Sequence, residues 1–186
     1  VISGILPPLA ADLAVTIPVA GLLVTAYALG VAIGGPILSL LTHRLSQRTV
    51  LVGTLSLFTA AQLLCAFAPD YGLLLAARVL SSVAHGLFFG AGNVVVAALV
   101  PPERRGGAFS LFIGGITVAN LLGLPGGSAI GVAFGWRTTF LAVALIGIIA
   151  VLVLAWRLPR AQPGDAPQAS LREQFAQLRH QQVWMS

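Results

Sequence analysis

The chain has 186 residues, 58% of them hydrophobic and only 8% charged, with a mean hydropathy of +0.97. A water-soluble domain carries about a quarter charged residues, and a core of this length cannot hide so much apolar surface, so lipid must be the solvent for much of it. All ten basic residues are arginine and the formal charge is +5, but they fall mainly between apolar runs, which excludes a nucleic-acid surface and fits membrane loops.

In chain order the apolar runs predict an all-α integral membrane bundle of six spans over 1–156, each interior run matching the ~20 residues that cross a hydrocarbon core. Val1 to about Ala10 reads as the tail of a truncated first span. The second runs from about Ala20 to Leu41, the third from Val50 to Ala68 and the fourth from Tyr71 to Leu99. Ala108 to about Ala133 forms the fifth, and Thr138 to Trp156 the sixth. Residues 157–182 bring Pro159, Pro163 and Pro167 and read as a linker. Within it Leu171, Phe175 and Leu178 fit either a short helix on a membrane surface or a solvated helix. Val183 to Ser186 reads as the start of a seventh span, so the chain is expected to be a piece of a longer protein.

Charge sets the expected orientation. Arg44, Arg48, Arg104, Arg105, Arg157, Arg160, Arg172 and Arg179 fall on one side, whereas the opposite loops hold Asp12, Asp70 and only Arg137. The positive-inside rule makes the arginine-rich side, the amino terminus and the central linker cytoplasmic.

Small residues mark where helices approach closely, since in lipid close contact depends on short side chains. The second span repeats Ala26, Gly30 and Gly34, followed by Gly35 and Pro36. The fifth repeats Gly115, Ala119, Gly123, Gly127 and Gly131, with Pro125 expected to kink it.

The fourth span carries a polar stripe. Arg78, Ser82, His85 and Phe89 share one helical face, and Asn93 follows with slight drift. Arg78 lies seven residues beyond Tyr71, about 10 Å deep at 1.5 Å per residue. A guanidinium at that depth either faces a protein interior or aqueous path, or snorkels outward. His85 titrates in the range that suits a proton carrier, or serves as hydrogen-bonded packing. Neither has an acid of its own, because no Asp or Glu lies within any span. Tyr27, Thr25, Gln62 and Asn120 are further polar cavity candidates. The single cysteine, Cys65, excludes an intramolecular disulfide and any multi-cysteine metal site. No catalytic motif of the Gly-x-Ser-x-Gly or His-Glu-x-x-His type occurs, so neither catalytic residues nor a metal or other cofactor are expected.

Four stretches resemble the amino-terminal half of a major facilitator superfamily transporter. Within the fifth span, Asn120-Leu121-Leu122-Gly123-Leu124-Pro125-Gly126-Gly127 is similar to the antiporter motif of exporters in that superfamily. Arg78 with Gly86 eight residues on resembles its fourth-span motif. Ile5-Leu6-Pro7-Pro8-Leu9 resembles the end of its first span, and Gly135-Trp136-Arg137 the opening of its sixth. The gating loop between spans two and three keeps Arg44 and Arg48, but His43 stands where the family has aspartate and Ser46 where it has glycine.

More narrowly, the chain resembles twelve-helix drug:proton antiporters of the arabinose-efflux and chloramphenicol-resistance kind. That resemblance implies proton-coupled export of small organic molecules from the cytoplasm of a bacterium, across its inner membrane. Protons, a small-molecule substrate, the bilayer and a carboxy-terminal six-helix half are the implied partners. It further implies a coupling role for the Arg78 face, and possible substrate contacts at Tyr27 and Asn120. An uncoupled facilitator or importer on the same fold, or a six-span protein that transports nothing, are the alternatives.

Overall fold

A computed structural model describes residues 4–42 and 45–158, so His43 and Arg44 of the expected gating loop, the expected linker beyond Leu158 and residues 183–186 lie outside the described residues. The described chain is helical: α1 (Leu6–Asp12), α2 (Ile17–Thr42), α3 (Gln47–Ala66), α4 (Tyr71–Leu99), α5 (Arg105–Phe134) and α6 (Trp136–Arg157), with a 3-10 turn at Pro102–Arg104. Five of these helices are long and apolar enough to cross a membrane. The short α1, seven residues, occupies the place of the expected first span. A bundle of this length and hydropathy is a multi-pass membrane protein.

Helix ends are set by local chemistry. Ser46 caps α3, its hydroxyl accepting from the Thr49 amide at 3.2 Å, and Asp70 caps α4 by accepting from the Leu73 amide at 2.9 Å. These caps satisfy backbone donors that a helix start leaves unpaired. Between α5 and α6 the chain turns on Gly135 alone, at a φ of +91°, a conformation that a side chain would strain. Inside the spans, hydroxyls bond their own helix: Thr54 donates to the Val50 carbonyl at 2.6 Å and Thr59 to the Leu55 carbonyl at 2.8 Å. No water is at hand in a hydrocarbon core, so this back-bonding is how a span tolerates Ser and Thr.

The small-residue ridge of α2 is a helix crossing. A Cβ on Gly30 would collide with Ser82 Oγ, one on Gly34 would lie 2.6 Å from Val83 Cγ2, and one on Gly35 would lie 3.1 Å from the Gly86 backbone. From the other side, a Cβ on Gly86 would lie 2.7 Å from the Val31 carbonyl oxygen. Helices α2 and α4 therefore touch backbone to backbone, and α3 packs against both α4 and α6.

The fifth helix differs. Of its residues only Gly131 is buried, where a Cβ would collide with Ile5, and Gly115 and Gly123 of the expected ridge face open space among the described residues. Helix α5 continues unbroken through Pro125. It meets its neighbours at two places. Near one end Phe112 packs edge-on to Phe89 (5.8 Å between centroids); near the other, Thr139 of α6 donates to the Gly127 carbonyl at 3.0 Å.

The ends of the bundle are distinct. At one, Asp12 accepts from Trp136 Nε1 at 3.0 Å and pairs with Arg137, whose other nitrogen donates to the Ala68 carbonyl at 3.2 Å. Three loops are thereby clasped together. The Arg137 hydrogen bond, followed by that of Trp136, holds the Asp12 carboxyl below its ordinary value of 3.8. At the arginine-rich end, Arg48 Nη2 donates to the Ala155 carbonyl at 2.7 Å and so caps the last turn of α6.

Candidate functional site: a guanidinium-lined cavity

Because α5 is held near its two ends, a space opens beside its middle. This cavity, about 370 Å³, is lined by residues of α2, α3, α4, α5 and α6, with Ile5 at its edge. Its polar lining is Tyr27, Gln62, Arg78, His85, Asn120 and Thr139. Phe58, Phe140, Val24 and Val143 supply apolar wall. A pocket of this size with few convergent polar groups suits a drug-sized solute.

Arg78 is the centre of the polar lining. It is 9% exposed, and its Nε is buried without a hydrogen-bond partner. The guanidinium lies over the ring of Tyr27, with Cζ 4.0 Å from the centroid. A desolvated cation over an aromatic face gains about 2 kcal/mol, which offsets only part of the cost of removing that charge from water. Among the described residues the one ion pair is Arg137–Asp12, at the clasp, so Arg78 has no carboxylate beside it there.

Tyr27 links that cation to His85. Its hydroxyl and His85 Nδ1 share a hydrogen bond of 2.7 Å across 58 residues of sequence. The imidazole is stacked on Phe89 (5.4 Å between centroids, 7° between planes) and edge-on to Phe58 at 6.1 Å. Arg78, Tyr27 and His85 thus form a continuous array from α4 to α2 and back to α4. Such an array holds a fixed positive charge and a titratable ring on the two sides of one tyrosine, at the wall of the cavity. Gln62 adds a buried amide, 3% exposed, with its Oε1 unpartnered.

The structure brings together Arg78, His85, Tyr27, Gln62 and Asn120 at the cavity, with Phe89 behind the imidazole. It does not bring Ser82 there. Ser82 is wholly buried in the α2–α4 crossing against Gly30, and its hydroxyl donates to the Val79 carbonyl at 2.7 Å. A serine fits that face because the crossing admits nothing larger. Asn93 also lies apart: it is exposed, and its amide donates back to the Phe89 carbonyl at 2.9 Å. Four residues of drift beyond Phe89 carry it past the cavity's edge. Gly123, Pro125 and Gly127 lie on α5 and are not among the cavity's lining residues; Pro125 is exposed and Gly123 faces open space among the described residues. Thr25 is exposed, Cys65 is buried packing, and Arg48 is committed to the end of α6.

Sequence reasoning missed the Tyr27–His85 bond and the Asp12–Trp136–Arg137 clasp. The second had a partial signal: Arg137 is the lone arginine on the poorly charged end of the bundle, where Asp12 and Asp70 are its candidate partners. The first had none, since the register between α2 and α4 follows from glycine packing that spacing within one helix does not reveal.

The major facilitator superfamily model matches residues 1–186. The chain is 39% identical over 180 residues to the inner membrane transport protein YdhP of Escherichia coli K12, covering 97% of this chain and 46% of that protein. It is 35% identical over 183 residues to the chloramphenicol resistance protein of Streptomyces lividans, covering 96% and 46%. A relative named "Probable sugar efflux transporter" from Mannheimia succiniciproducens is 39% identical over 134 residues, 72% of this chain and 33% of that protein. The chain spans about half the length of the first two.

Proposed function

This chain belongs to the major facilitator superfamily, and we propose that it forms the amino-terminal half of a proton-coupled exporter of small organic molecules. Residues 1–156 form the six-span bundle, 157–182 the cytoplasmic linker and 183–186 the start of a seventh span. The arginine-rich end faces the cytoplasm of a bacterium and the Asp12–Arg137 clasp faces out. A second six-helix bundle closes the cavity from the open side of α5, and rocking of the two halves exposes it alternately to each face. Export rather than import is supported by relatives named for efflux and for chloramphenicol resistance. No catalytic step belongs to this reading.

One observation carries it: a buried cation and a hydrogen-bonded histidine at the wall of a cavity about 370 Å³ in volume, within helices that face lipid outside. Charge at membrane depth is retained where it lines a path or relays protons. The array gives a proton a defined stop at His85 and gives the gate a charge whose surroundings change with conformation. The test is transport by the full-length protein in inverted membrane vesicles. Imposing an acid-inside proton gradient is expected to drive chloramphenicol or a sugar into the lumen against its own gradient, with a matching efflux of protons. Movement of solute that ignores the proton gradient would refute coupling.

One observation favours an uncoupled facilitator: no carboxylate lines the cavity among the described residues. That reading predicts equal rates in both directions and no alkalinisation on adding solute.

A further inference from the structure

A cavity wall can be read as a mould of what fills it. Here the one permanent charge in the lining is Arg78, 9% exposed, whose Nε is buried without a hydrogen-bond partner and which has no protein carboxylate beside it among the described residues. Tyr27 covers one face of that guanidinium but supplies only its ring, because the hydroxyl is engaged with His85. Nothing among the described residues neutralises the charge. A buried cation left in this condition attracts an oxyanion, and the planar guanidinium fork matches a carboxylate in two parallel hydrogen bonds. The same field repels an ammonium group. Phe58 and Phe140 offer aromatic surface within the same cavity, and Asn120 and Gln62 add amides to its lining.

From this arrangement we propose that the cavity selects small aromatic solutes by charge: carboxylates bind best, neutral analogues less well and cations are excluded. This rests on the transport reading of the cavity and deepens it by naming the class of solute. The carboxylate sits against Arg78, and the ring of the solute lies against the phenylalanine wall. An acidic side chain from a helix outside the described residues is the competing source of that carboxylate, and it would leave the solute's own charge without effect.

Three probes that share one ring separate these cases: 4-nitrobenzoate, 4-nitrobenzamide and 4-nitrobenzylammonium. Their binding to the purified full-length protein is measured by calorimetry at pH 7, and their movement is measured in proteoliposomes. The benzoate is expected to bind about tenfold or more tightly than the amide, the scale of a charge-assisted hydrogen bond to a buried partner, and the ammonium to bind weakest. In Arg78→Gln the benzoate advantage should vanish while the amide still binds. Because the order among probes is read first in the unmodified protein, poor folding of that variant does not remove the test. Equal binding of benzoate and amide, or preference for the ammonium, overturns the proposal. Charge-ordered binding with no movement of any probe upholds the selectivity and refutes transport. Movement of all three with no order among them upholds transport and refutes the selectivity.

Discussion

The α2–α4 crossing allows a quantitative test on a single helix. Gly86 and Gly90 lie one turn apart on α4. A Cβ at Gly86 would lie 2.7 Å from the Val31 carbonyl oxygen and 3.0 Å from Gly35 Cα, whereas one at Gly90 would meet nothing within 4 Å. The atoms opposing Gly86 are backbone and cannot rotate aside, so Gly86→Ala must push the two helices apart by about 0.5–1 Å, which forfeits roughly a quarter to a half of the dispersion well for each contact along the seam. Overpacking of this kind costs about 1–3 kcal/mol. Gly90→Ala has no such cost and gains up to about 1 kcal/mol of helix propensity. Thermal unfolding of the two variants in detergent should therefore diverge, Gly86→Ala melting below the parent protein and Gly90→Ala at or above it. For a bundle of this size each kcal/mol is about 2–4 °C. Equal melting temperatures would show that α2 and α4 do not cross at Gly86, and the register that pairs Tyr27 with His85 would fall with it.

Other consequences are open to direct measurement. Arg78→Lys retains the charge but loses the planar stack on Tyr27 and the two-pronged fork; transport by the full-length protein should fall at least about tenfold, and near-normal rates would argue against a direct role. Pro125→Ala restores a backbone donor on the free face of α5 and should change the ratio of protons to solute more than the melting temperature; an unchanged ratio would remove Pro125 from the coupling. Asp12→Asn should loosen the clasp. The folded Asp12 carboxyl titrates below its ordinary 3.8, so the stabilisation it gives is present above that value and is lost as pH falls through the lower folded value. Melting temperatures of the parent and Asp12→Asn should accordingly differ at pH 6, begin to approach one another near pH 3.8 and converge only as the pH falls through the lower folded value; a gap that persists in stronger acid would place the effect elsewhere than in this charge.

Much of the bundle was legible because lipid imposes a simple rule on sequence: a span must be apolar for its full width, and its loops take the charge. The second to sixth spans fall within a few residues of α2 to α6, with differences at Ile17, Gln47, Arg105 and Trp136, where a helix begins in the polar interface before its apolar run. Helical spacing also placed Arg78 and His85 on one face, and both line the cavity. It failed at Ser82 and Asn93 because a face is set by what packs on it. Gly30 and Gly34 draw α4 so close that Ser82, only about 40° round from Arg78 at 100° per residue, lies in the seam between helices. A periodic pattern reports which residues look the same way; which way that is depends on the neighbour.

The same reasoning explains why the two glycine ridges, alike on paper, have different fates. In α2, Gly30, Gly34 and Gly35 each face backbone or a short side chain of α4, and the crossing is complete within this chain. In α5, Gly115 and Gly123 face open space among the described residues, while the helix is held by Phe112 near one end and by Gly131 against Ile5 at the other. Between these points Asn120 is the α5 residue that lines the cavity. A helix pinned at its ends can bow or tilt at its middle with little loss of packing, because almost none of that surface is engaged. The α2–α4 seam cannot yield without separating backbones. Motion in this bundle should therefore be concentrated in α5. Cross-links between introduced cysteines, made with a short bifunctional reagent, offer a readout: a pair at Val19 and Tyr71, where the Tyr71 hydroxyl already joins α4 to the Val19 carbonyl of α2, should form at one rate with or without solute. A pair at Asn120 and Phe58 across the cavity should change its rate when solute is added. If both pairs respond alike, the bundle moves as a whole and α5 has no separate freedom.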